Sequence, residues 1–153
     1  MKLLKIAVIA GVGAVCAATA SACPDEELYG EELAYTSDDL WDAKVHAVAA
    51  GGDVDLDTCY HIPGTGNVIE APDFSIEYVK TERYDLHFDT SAECDTVLLV
   101  NDATGAWHFD DDSGDGTSDT VVLADAEEGW IDVWIGTFDS DICDATLTVE
   151  AFE

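Results

Sequence analysis

Positive charge is almost missing from this chain: five lysines and arginines stand against 34 aspartates and glutamates, a formal charge of −29. A field of that sign repels phosphate polymers and anionic headgroups, which excludes nucleic acid and acidic membrane surfaces as partners. Cations and basic proteins are what it attracts. Three further absences narrow the class. No segment repeats its apolar residues at the helical period over about ten positions, so a helical domain is excluded. No C-x-x-C pair marks a zinc site. No G-x-S-x-G elbow marks an α/β-hydrolase.

What is present begins with an export signal. Lys2 and Lys5 precede an apolar run from Ile6 to Ala18, too short to span a bilayer, and Ala20-Ser21-Ala22 fits the small-residue cleavage rule. Residues 1–22 are therefore expected to be a secretory leader, placing the rest in the periplasm or outside the cell, with no transmembrane segment. With the leader's two lysines gone, Lys44, Lys80 and Arg83 face all 34 acids, a formal charge of −31. Four cysteines remain: Cys23, Cys59, Cys94 and Cys143. In an oxidising compartment an even set reads as two disulfides with three connectivities, of which Cys23–Cys59 with Cys94–Cys143 is preferred. The competing reading is a lipid anchor on Cys23, which would leave one thiol unpaired.

The remaining length suits one domain. Residues 23–42 are acidic and irregular, and are expected to form a surface arm anchored by Tyr35 and Trp41. From residue 43 to 153 the dominant period is two. Val54 and Leu56 alternate with Asp53, Asp55 and Asp57; Phe74, Ile76 and Tyr78 share a face; so do Tyr84, Leu86 and Phe88, with His87 on the solvated side; so do Ile131, Val133 and Ile135; so do Ala145, Leu147, Val149 and Ala151. Cys94 to Val100 is richer in apolar residues, as a central strand covered on both faces would be. Eight or nine short strands separated by turn signals predict an all-β antiparallel sandwich of jelly-roll type. Trp130 and Trp134 fall on the face opposite Ile131. They serve either as an aromatic platform or as packing against a further layer, and packing is favoured because a sandwich has layers to fill.

The densest chemistry lies between Phe109 and Asp119. Asp110, Asp111, Asp112, Asp115 and Asp119 fall within ten consecutive positions. Such crowding costs repulsion that a hard cation relieves. Asp111, Ser113, Asp115 and Asp119 fall at positions 1, 3, 5 and 9 of a calcium loop, with Gly116 at the turn; Val122 stands where the closing glutamate belongs, so an EF-hand is excluded. A calcium site in a β-protein loop is the expectation, with Asp111, Ser113, Asp115 and Asp119 as ligands, against the plainer reading of a solvated acidic turn. Asp112-Ser113-Gly114 imitates a serine-peptidase motif. A nucleophilic serine needs a histidine base and a developing oxyanion needs donors, whereas Ser113 is ringed by carboxylates. The chain is expected not to be an enzyme.

Four segments carry a resemblance: DTVLLVNDATGAW (Asp95 to Trp107), FDDDSGDG (Phe109 to Gly116), GWIDVWIGTF (Gly129 to Phe138) and ATLTVEAF (Ala145 to Phe152), with AGGDVDLDTC and APDFSIEY upstream. Together they resemble the bacterial pre-peptidase C-terminal domain. The resemblance implies a jelly-roll-like β-sandwich, found beside secreted proteases or alone in small exported proteins. It further implies a binding or accessory module, with calcium in some members and matrix proteins or polysaccharides as partners in others. A structural, envelope-associated protein without a ligand is the alternative.

Overall fold

The computed structural model describes residues 23–114, 118–139 and 141–153; residues 1–22, expected to be a leader, lie outside them. Eleven strands follow in order: β1 (Glu31–Thr36), β2 (Lys44–Ala50), β3 (Val54–Asp55), β4 (Asn67–Val68), β5 (Phe74–Val79), β6 (Asp85–Ala92), β7 (Thr96–Asn101), β8 (Trp107–Asp110), β9 (Thr120–Leu123), β10 (Gly129–Thr137) and β11 (Cys143–Phe152). Two 3-10 turns, Asp39–Trp41 and Leu56–Thr58, are the helical elements among the described residues. The fold is an all-β sandwich of two sheets.

β10 organises the larger sheet. Its first half pairs with β5, Ile131 opposite Ile76, while Asp132 to Thr137 pair with β7 along the other edge. β4 meets the far end of β10 at Thr137, β3 lies beyond β4, and β8 lies beyond β7. The second sheet runs β2-β11-β6-β9, with β11 and β6 as its interior strands, β11 joining β2 to β6. Between the sheets the inward residues read from the period-two pattern meet. Phe74, Ile76, Ile131, Val133 and Ile135 oppose Leu86, Phe88, Leu147 and Val149 in one core. Each such side chain taken fully from water stabilises the fold by about 1.5–3 kcal/mol before entropy is counted.

The outer face of the larger sheet is covered as well. Val97, Leu99 and Trp134 point outward into a smaller core with Val54, Leu56, Cys59 and Val68, joined by Trp107 and Phe109 at its margin. That second layer explains why every residue of β7 is buried. It also decides the tryptophan alternatives: Trp134 is fully buried and packs on Trp107, ring centroids 5.3 Å apart, while Trp130 stays 40% exposed. Two disulfides, Cys23–Cys59 and Cys94–Cys143, have the preferred connectivity, and the first engages the sulfur that a lipid anchor would need.

Two segments depart from the sequence reading. The stretch 23–42 is not an irregular arm: β1 pairs in parallel with β5, Leu33 opposite Ile76, and Leu40 enters the main core. Only Leu33 and Tyr35 alternate within β1, and the partner strand lies some forty positions away, so local patterning could not reveal the pairing. The alternation over residues 53–59 ends after two residues. The Asp55 carboxylate accepts from the Asp57 N–H and the Thr58 hydroxyl donates to the Asp55 carbonyl. Side chains that bond the local backbone so well favour a turn over a ladder.

Candidate metal centre

One end of the sandwich gathers the β6–β7 turn, the β8–β9 loop and the segment after β10. Cys94–Cys143 staples that end, tying the residue before Asp95 to the start of β11. The Phe138 N–H donates to the Asp95 carbonyl across it (3.0 Å). Asp95 from the first turn and Asp111 and Asp112 from the second loop each bring a carboxylate oxygen to one point, the three lying within 4.8 Å of one another. Asp112 adopts a left-handed backbone, φ 70°, a conformation aspartate tolerates better than most residues.

Electrostatically the cluster is uncompensated. Burial raises the Asp95 carboxyl above its usual range, and Asp112 and Asp139 push it further. Burial likewise raises Asp111, helped by Asp112, Asp95 and Asp110. Asp95 Oδ1 and Asp111 Oδ1 are closed off from solvent yet accept no hydrogen bond among the described residues. The ion pairs among the described residues are elsewhere, on Asp125, Glu127 and Asp102. A buried oxygen without a donor carries the full desolvation cost, and a cation is one way to offset it.

Of the loop positions 1, 3 and 9, which lie among the described residues, one enters this cluster. Asp111 joins the cluster. Asp115 lies outside the described residues. The Ser113 hydroxyl donates to the Asp110 carboxylate, which also accepts from the Ser113 N–H (3.2 Å) and the Thr120 N–H (2.7 Å). Asp119 is fully buried: one oxygen accepts from the Thr90 and Thr96 hydroxyls, both at 2.7 Å, and the other from the Asp112 N–H at 3.2 Å. Burial raises its pKa to about 6 against the pull of those donors. Asp110 and Asp119 thus hold the loop's shape, while Asp95 and Asp112 enter the cluster. The sequence signal for Asp95 is slight: an aspartate just after a disulfide cysteine.

Three of the four imidazoles are engaged away from Ser113. His46 Nε2 meets the Tyr35 hydroxyl at 3.1 Å, His108 Nε2 meets Asp102 at 2.7 Å, and His87 stacks against Phe152. Burial would raise Asp102, but hydrogen bonds from Thr104, His108 and two backbone N–H groups hold its pKa at about 2.

No protein-family model matches the chain, and no curated protein matches it. Among solved structures it is similar to the pre-peptidase C-terminal domain of a collagenase from Bacillus anthracis. The likeness covers 79% of this chain and 96% of that one, at 9% identity and a TM-score of 0.44.

Proposed function

We propose that this protein is an exported, non-enzymatic β-sandwich module whose acidic end takes up calcium, with Asp95, Asp111 and Asp112 as protein ligands. The observation that carries the reading is the pair of buried, donorless oxygens on Asp95 and Asp111, set beside a third carboxylate. Calcium takes six to eight oxygens and tolerates irregular geometry, so a set drawn from two loops, completed by carbonyls and water, suits it better than magnesium's strict octahedron. The ion would pin the β6–β7 turn to the β8–β9 loop and so stiffen one end of the module. Export is supported by the leader-like residues 1–22 and the two disulfides.

The test is thermal unfolding in millimolar calcium against chelator. A ligand bound by the native state alone, at about a hundredfold excess over its Kd, adds about 2.7 kcal/mol, a rise in Tm of several degrees for a domain of this size. Asp111→Asn and Asp95→Asn should each abolish the rise without lowering the chelator baseline, since neither carboxylate oxygen in question holds a hydrogen bond. An unchanged Tm in the parent chain sinks the reading.

A further inference from the structure

A second charged site lies on the outer face of the larger sheet, at the end that the smaller core leaves uncovered. Glu77 of β5 stands opposite Trp130 of β10. Both project outward, since their neighbours Ile76, Tyr78 and Ile131 are core residues. Tyr29, 59% exposed, meets Trp130 edge-to-face with centroids 5.4 Å apart, so the indole is braced. Glu77, Val79, Glu128 and Trp130 line a cavity of about 390 Å³. Glu77 and Val79 also border a neighbouring depression of about 190 Å³ over β1. The two depressions share Glu77 and Val79 and lie along β1, β5 and β10.

The groove's charge is one-signed. Glu77 and Glu128 take part in no ion pair among the described residues, and the nearby cations Lys80 and Arg83 are both held by Asp125. A carboxylate accepts hydrogen bonds and donates none. A neutral sugar would also need donors to orient its ring oxygens, whereas an ammonium or guanidinium brings donors alone. The face of a tryptophan attracts the same groups through its quadrupole, more strongly as they lose water. The chain's formal charge of −29 would steer a basic partner toward any such site.

We infer that this groove binds a lysine- or arginine-bearing segment of a basic partner protein, with the cationic side chain seated over Trp130 between Glu77 and Glu128. The site is separate from the calcium cluster and shares no residue with it. The probe is a short blocked glycine peptide carrying arginine and lysine, titrated at physiological ionic strength and followed by amide and indole N–H chemical shifts. The largest shifts should fall on the Trp130 indole and the Glu77, Glu128 and Gly129 amides. Trp130→Ala, and separately Glu77→Gln with Glu128→Gln, should each weaken binding at least fivefold. Asp144→Asn with Glu153→Gln removes the same charge from the opposite sheet and should change affinity less than twofold. Shifts scattered over every acidic surface, an equal loss in the Asp144/Glu153 variant, or a neutral oligosaccharide binding this groove in place of the peptide would each overturn the assignment.

Discussion

Asp119 shows how much a carboxylate's surroundings decide its use. By spacing it belongs to a calcium loop, yet both its oxygens are spent on Thr90, Thr96 and the Asp112 N–H. Removing it takes the shared acceptor from two hydroxyls, which still reach each other at 3.0 Å, and leaves the Asp112 backbone donor without its acceptor, at about 1–3 kcal/mol for each group that finds no replacement. Asp119→Ala should therefore cost about 2–4 kcal/mol in chemical denaturation. Asp119→Asn keeps an oxygen for the Asp112 N–H and offers an amide to hydroxyls that can rotate to accept, so its cost should stay near or below about 1 kcal/mol. Equal losses in the two variants would mean that the charge itself, and not the acceptor, matters at this position. Ser113 teaches the same lesson, since its hydroxyl serves Asp110 and closes a turn.

Among the elements, β10 separates two tryptophans that the sequence could not. Both sit on the same face of the strand, but only Trp134 is covered by the smaller core. Trp134→Ala should destabilise by about 3–5 kcal/mol, and Trp130→Ala by less than about 1 kcal/mol, measured side by side in urea. The strands that alternate over six or more residues, such as β5 and β11, were legible because one face is wet and the other dry, which imposes period two. β1 was hidden because its register depends on a distant parallel partner and its acids swamp its two apolar residues. The residues covering Trp134 were hidden for a related reason: Val54, Leu56 and Val68 come from short elements whose packing is set by tertiary contact. In the carboxylate cluster Asp111 was legible from loop spacing, whereas Asp95 and Asp112 required knowing which turns share an end of the sandwich.

At the level of the whole molecule, pH should act in an uncommon direction. Burial raises the Asp73 carboxyl to about 7 despite the Ile135 N–H it accepts from, and Asp119 to about 6. A raised folded-state pKa means that the native state holds its proton more tightly than the unfolded chain does. Such stability is complete below the ordinary carboxylate pKa and is lost as pH rises through 6 and 7. Asp102, held at about 2, works oppositely, its contribution fading only as pH falls from about 4 toward that value. With chelator present, Tm should climb by several degrees from pH 8 to pH 5 and turn over below about pH 4. Asp73→Asn should flatten the climb, and a Tm that falls steadily between pH 8 and pH 5 would contradict the assignment.

The strands that hold each sheet together, β10 and β11, are the last two in chain order. Until residues 129–152 have been synthesised, β5 and β7 lack the strand that joins them, and β2 and β6 lack theirs. No earlier portion of the polypeptide can close either layer by itself. Strand order alone therefore makes the closure of both sheets wait on β10 and β11.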